Sequence, residues 1–271
     1  MAKKQQDCAN CGATDGNLRR CSRCKEARYC SKECQIEHFP SHKGPCKAAS
    51  RATAPIIYYF GTEDDDEFSL IPDCCQQLFK KLRSKFRFEH VDDVATAFNV
   101  LNDPDPSTKI VLAVTPWAAT TKAKLPLKKF IERGGILFCC AQFSSHITPP
   151  EANAFFQKMG FPWKFGGYCR TDDQVTPTAA ARFSNLPDSY SNKATRLANV
   201  DPADRIYAPT AESRVQSHVF AAHPVNTEEA SAVLGKCGKG YLGYIGDVND
   251  EVESAIVVAS ICKELISSYI K

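Results

Sequence analysis

No run in this 271-residue chain approaches the roughly 18 consecutive apolar residues of a membrane-spanning helix, so no membrane association is expected. The opening, Met1-Ala2-Lys3-Lys4-Gln5-Gln6, lacks an apolar core and runs straight into cysteine-rich sequence, which argues against a secretory leader. Net charge is small, formally +3, too little to demand a nucleic-acid partner. No glycine-rich phosphate fingerprint follows Gly61, and no internal repeat or low-complexity tract is present. Nucleotide-binding and solenoid readings therefore have no support. With 43% hydrophobic and 24% charged residues, the chain reads as globular and intracellular, cytoplasm and nucleus both remaining open.

Cysteine is what the chain has in excess. Of 14, seven fall between positions 8 and 46 and seven are scattered over the remainder. In a reducing compartment disulfides are not expected, and an odd cluster of seven with one matching histidine suits them poorly. The spacing is Cys8-x2-Cys11-x9-Cys21-x2-Cys24-x5-Cys30-x3-Cys34-x7-His42-x3-Cys46. These are eight ligands in four close pairs. Zinc takes four tetrahedral Cys/His ligands, and two- or three-residue spacing lets a single turn aim two side chains at one ion. Eight ligands mean two Zn²⁺ per chain, with no position left for a reactive water. So short a stretch has little core, and metal binding becomes its folding free energy. Residues 1–54 carry a surplus of +6 against −3 over the rest. Seven thiolates and two zinc ions reduce that surplus to about +3, so direct nucleic-acid binding is not expected.

This ligand series, with Tyr29-Cys30, Cys34-Gln35, Phe39 and His42-Lys43, resembles a MYND-type zinc finger over residues 8–46. Phe39 departs from the family, which usually has Trp there. The spacing alone allows consecutive sites. The resemblance implies a cross-braced pair instead, with Cys8, Cys11, Cys30 and Cys34 on one ion and Cys21, Cys24, His42 and Cys46 on the other. It also implies docking of a short peptide segment of a partner protein, for which Gln35 and Phe39 are the candidate residues. The competing role for Phe39 is packing in a minimal core. His38 is a spare imidazole, expected to face solvent.

The sequence organises as a finger over 1–49, a polar linker over 50–54 and a larger domain over 55–271. Buried strands are expected at Ile56–Phe60, Lys109–Val114 and Ile136–Cys140, with a shorter one at Phe86–Val91. Helical spacing marks Leu70 to Leu82, Val94–Leu101, Leu125–Arg133 (closed by Gly134-Gly135) and Pro150–Met159 (ending at Gly160). Strand then helix, four times over, argues for a parallel sheet with right-handed crossovers. Further on, Thr176–Asn185 reads as a helix and Tyr190–Val200, Ser217–Ala222, Ala230–Lys236 and Gly240–Gly246 as strands. The last two form a hairpin around Cys237-Gly238-Lys239-Gly240, and Glu251–Ile266 is a buried terminal helix.

The order of elements, with "FIERGGILFCC" (130–140) and "GKGYLGYIGD" (238–247), resembles the class I glutamine amidotransferase-like superfamily, including its ThuA-like branch. That implies a flavodoxin-like α/β domain, mainly parallel with helices on both faces. In such enzymes a nucleophilic cysteine stands on a sharp strand-to-helix turn and a His-x-Glu pair comes late. Cys139 or Cys140 falls where that cysteine would be. No glycine follows to allow the strained turn, and neither His218 nor His223 begins a His-x-Glu pair. Both thiols are expected as small buried hydrophobes. The acidic stretch Thr62–Glu67 reads as a solvated loop, and Cys74-Cys75 and Cys169 lack ligand spacing. His146, His223 and Asp247 could gather at the sheet edge where α/β ligands bind. The function expected is protein–protein interaction through a zinc finger, with no recognisable catalytic set. The alternatives are a cysteine-dependent hydrolase or amidotransferase relative using Cys140, and a small-ligand sensor domain coupled to the finger.

Overall fold

The computed structural model describes residues 7–14, 17–52, 55–61, 75–83, 85–217, 219 and 221–269. The chain divides into two compact units, Met1–Pro55 and Ile56–Lys271. The expected loop at Thr62–Glu67, Cys74 and the start of the helix expected from Leu70 lie outside the described residues, as do His218 and Phe220.

In the first unit a two-stranded ribbon, β1 (Arg19–Arg20) and β2 (Arg28–Tyr29), pairs Arg19 with Tyr29. Helix α1 (Lys32–Ala52) follows and runs into the stretch expected as linker, with Pro40 and Pro45 inside it. Two C-x2-C turns share one geometry. Gly12 N–H donates to the Cys8 carbonyl at 2.8 Å and Lys25 N–H to the Cys21 carbonyl at 3.0 Å. Gly12 (φ 72°) and Lys25 (φ 61°) both adopt the left-handed conformation that turns each pair of thiols back on itself.

The second unit is α/β. Its first strands and helices are β3 (Ile56–Phe60), α2 (Gln76–Arg83), β4 (Arg87–Val91), α3 (Val94–Leu101) and β5 (Ile110–Ala113). Then come α4 (Trp117–Thr120), α5 (Leu127–Glu132), β6 (Ile136–Cys139), α6 (Phe143–His146) and α7 (Pro149–Met159). The rest is β7 (Lys164–Val175), α8 (Pro177–Arg182), β8 (Ser189–Ala198), β9 (Arg205–Ala208), β10 (Ala232–Cys237), β11 (Gly240–Ile245) and α9 (Val252–Tyr269). One sheet runs β4-β3-β5-β6-β11-β10-β9-β7-β8. Its first five strands are parallel in the 2-1-3-4-5 order of flavodoxin-like folds. The remaining four extend it antiparallel.

Alternation along the buried strands builds a core on each face. Ile110, Leu112, Ile136 and Phe138 pack with Leu78, Phe79 and Leu82 of α2 and Val258, Ile261 and Leu265 of α9. Val111, Ala113, Leu137 and Cys139 pack with residues of α3, α5 and α7 on the other face. Gly134 (φ 122°) and Gly160 (φ 96°) close α5 and α7 in the left-handed conformation that glycine tolerates. The hairpin stands as expected, Cys237 pairing Gly240 around Gly238 (φ 60°). Ser217, Val219, Ala221 and Ala222, the described residues of the segment expected as a strand over 217–222, are not in one. They are irregular, and the nearest pairing is an isolated bridge between Arg214 and Pro224. Strands β7 and β9, by contrast, have no counterpart among the expected strands. None of the described helices is long and apolar enough to cross a membrane.

Candidate metal centre and the sheet edge

The eight ligands form two groups, Cys8/Cys11/Cys30/Cys34 and Cys21/Cys24/His42/Cys46, whose donor atoms within each group lie within 4.8 Å of one another. Among the described residues no other set of three or more His, Cys, Asp or Glu groups does so. The four ligand pairs interleave as a cross-brace. The distances suit zinc. Bonds of 2.3 Å to a tetrahedral ion put two sulfurs about 3.8 Å apart. The Sγ–Sγ separations are 3.5 Å for Cys11–Cys30, 3.5 Å for Cys30–Cys34 and 3.8 Å for Cys21–Cys46. All are far beyond the ~2.05 Å of a disulfide. Nε2 of His42 is the nitrogen turned to the second site, 3.5 Å from Cys24 Sγ.

Crowded thiols compete for protons. Backbone N–H groups of Cys11 and Cys30 draw Cys8 down to about 6, while the Cys11 and Cys34 side chains push Cys30 up to about 12. In the second group burial works against ionisation of Cys21, yet the Cys24 N–H and His42 bring it to about 6. Burial, then Cys21 and Cys24, pushes Cys46 up to about 11. A divalent ion displacing the shared protons removes this conflict. The first site has two exposed ligands, Cys11 and Cys30, whereas the second is buried throughout. Both have four protein ligands, the closed arrangement of structural zinc.

His38 is not the solvent-facing residue expected from spacing. It is half-buried, with Nδ1 3.1 Å from the hydroxyl of buried Tyr29 and its ring 5.5 Å from that of His42. The two imidazole rings are stacked, with 21° between their planes. Phe39 is 47% exposed and Ile36 62% exposed on α1, and Gln35 is half-buried.

At the C-terminal edge of β6 the chain makes the sharp turn that the absence of glycine had seemed to preclude. Ala141 takes φ 56°, in the left-handed region that a side chain disfavours. Cys139 and Cys140, just before it, are wholly buried. Burial pushes both thiols up, and for Cys140 the neighbouring Cys75 and Cys139 add to it. The corner of the turn is Ala141, half-buried against the core, whose side chain is only a methyl group. Beside it lies a cavity of about 20 Å³, lined by Cys140, Ala141, Gln142, Asp247, Asp250 and Ser254. It has room for one water and falls far short of the about 300–1,000 Å³ of small-molecule sites. Burial pushes both carboxyls up, and each is engaged. Asp247 accepts the N–H groups of Asn249 and Glu251 at the start of α9, and Asp250 those of Gln77 and Leu78 in α2. His146 is exposed and bonded to Gln142, and His223 to the Ala221 carbonyl. Neither joins Asp247 in a ligand cluster.

Comparison with known proteins follows the same division. The MYND finger family model matches residues 8–46. The N-lysine methyltransferase SMYD2 of Gallus gallus is 42% identical over 48 residues, and that of Bos taurus 41% over 46. The match covers 18% and 17% of this chain and 11% of each relative, so only a small part of those proteins is represented. A putative ThuA-like protein from Bacteroides uniformis superposes with a TM-score of 0.50 at 13% identity, over 79% of this chain and 92% of its own. At that identity the likeness speaks for fold alone. Residues 8–46 are thus a MYND finger, a protein-interaction module with two zinc sites, on a chain whose α/β unit has a ThuA-like fold.

Proposed function

We propose that the finger docks a short peptide segment of a partner protein through Gln35 and Phe39, and that the α/β unit acts without catalysis of its own. The observation carrying the first part is the exposure of Ile36 and Phe39, three residues apart and hence adjacent on α1. A module whose own core is a few ligands and Tyr29 leaves these two side chains outside it. An apolar pair beside an amide is the composition of a peptide-contacting surface. The second part rests on the sheet edge, where the turn presents Ala141 and both nearby thiols are buried.

The test compares the full chain with its Gln35→Ala/Phe39→Ala variant, each first assayed for two zinc ions. A partner retained by the unaltered chain is trimmed to the synthetic peptide that still binds. The variant should bind that peptide at least about tenfold more weakly, a loss of ~1.4 kcal/mol. Undiminished binding, together with rapid alkylation of Cys140 at neutral pH, would overturn the reading in favour of a cysteine enzyme.

A further inference from the structure

The antiparallel half of the sheet closes on itself. Strand β8 pairs with β7 along its length, and its other edge returns to the chain around β10 and β11. Leu197 bridges Ala230, ahead of β10, and Ala194 bridges Asp247, just past β11. The Thr195 N–H donates to the Gly246 carbonyl at 2.9 Å and the Val248 N–H to that of Lys193 at 3.0 Å. A Cβ at Gly246 would collide with the Thr195 carbonyl oxygen, so glycine permits this approach. With β9 joining β10 to β7, the strands form a ring.

The register decides what the ring encloses. Directly opposed residues of an antiparallel pair share a face, and here Tyr190 opposes Asp173, Asn192 opposes Thr171 and Ala194 opposes Cys169. Arg196, two residues on, lies on that face too. The Leu197–Ala230 bridge brings Ser231 alongside the Arg196 position. Thr171, Asp173, Asn192 and Arg196 are all 0% exposed. The interior is therefore polar and charged where a ring this small would ordinarily be filled with aliphatic side chains.

Its hydrogen bonding is incomplete. Arg196 Nη2 donates to Asp173 Oδ2 at 2.9 Å and Asn192 Nδ2 donates to the same oxygen at 3.1 Å. Arg196 Nε and Nη1, Asp173 Oδ1, Asn192 Oδ1 and Ser231 Oγ have no nitrogen or oxygen partner in the protein, and the thiol of Cys169 beside the guanidinium is only a weak acceptor. These are five of the six buried side-chain atoms so placed among the described residues, which concentrates the deficit in one spot. Buried polar groups are rarely left unmet, since each forfeits its hydration. A small rotation could seat Asp173 Oδ1 on Arg196 Nε in a two-pronged pair. Three atoms would still remain: a guanidinium donor, an amide acceptor and a hydroxyl.

The guest that fits is small, because Thr171, Asp173, Asn192 and Arg196 are wholly buried, and uncharged, because Arg196 and Asp173 already balance. It must both donate and accept. We propose that the ring holds an ordered internal water bonded to Arg196 Nη1, Asn192 Oδ1 and Ser231 Oγ, a built-in ligand of the antiparallel half. Three bonds is the usual complement of a buried water.

A crystal structure of the full chain that shows the surface hydration shell should place water within hydrogen-bond distance of these three atoms. In solution, oxygen-17 magnetic relaxation dispersion should lose the amplitude of one slowly exchanging water in Asn192→Leu, whose side chain has nearly the same shape. A dry interior, with Arg196 Nη1 turned directly onto Asn192 Oδ1, would overturn the proposal. So would density for an ion or additive there, or an unchanged amplitude in the variant. Should Asn192→Leu fail to fold, the wild-type crystal decides alone.

Discussion

Removing the metal is the sharpest perturbation, because helix α1 should not survive it. Its 21 residues include Pro40, Gly44 and Pro45. Each proline removes an intrahelical donor and crowds the preceding turn, so two prolines and a glycine leave this helix about 7 kcal/mol less favourable than an alanine helix of equal length. What holds it are the ligands along it: Cys34 in the first site, then His42 and Cys46 in the second. A structural zinc site supplies about 10–16 kcal/mol of apparent binding free energy, enough to exceed that penalty, and chelation withdraws it. Helix α1 provides about a quarter of the described α-helical residues. A strong chelator should therefore release two zinc ions per chain, read with a metallochromic dye, and lower the far-UV helical signal by about a quarter. The remaining signal should melt cooperatively at the midpoint of the untreated protein. One ion released instead of two would refute the two-site account. Loss of the whole signal in a single step would refute the separateness of the two units.

Three further outcomes are expected in the α/β unit. Cys140 should resist alkylation in the native state, by peptide mapping, and Cys140→Ala should cost only roughly 1 kcal/mol, since a small buried side chain is shortened. Asp173→Ala should destabilise by about 3–5 kcal/mol in denaturant titration by stranding the Arg196 charge, whereas Asp173→Leu/Arg196→Met should recover most of that loss; a double variant as unstable as the single would refute the account. Ala141→Gly should be neutral or stabilising by up to about 1 kcal/mol, because the left-handed backbone there suits glycine; a loss beyond about 1 kcal/mol would mean the methyl packs more than it strains.

The zinc centre was legible because its determinants are local. Two- and three-residue spacings place paired ligands within one turn, and the structure brings those pairs together in the interleaved order. Helix α1 is not legible for the converse reason: prolines argue against a helix, whereas the ligands Cys34, His42 and Cys46 along it tie it to partners distant in sequence. The parallel strands β3, β5 and β6 read clearly since burial on both faces leaves an unbroken apolar run. Strand β7 gave no such signal. Its sequence, KFGGYCRTDDQV, holds two glycines and turns Thr171 and Asp173 inward, so the residues that usually mark an exposed loop lie in the interior. Ser217–Ala222 misleads in the opposite sense: Val219, an apolar residue in a segment that reads as a strand, is 80% exposed, and the described residues there are irregular.

The turn at Ala141 shows where fold and chemistry part. Glycine is expected at such a turn because it adopts positive φ without cost, and its absence argues against a sharp turn. The turn forms nonetheless, since it is set by the ends of the elements around it: Cys140 N–H bonded to the Ala113 carbonyl on one side and Phe143 N–H to that of Cys140 on the other. Backbone geometry of this kind is held by many contacts and tolerates a disfavoured residue at a cost of about 1–2 kcal/mol. Nucleophilic chemistry depends on one side chain at one position. Here that position holds the methyl group of Ala141 with both neighbouring thiols buried, so the turn by itself presents no thiol at the sheet edge.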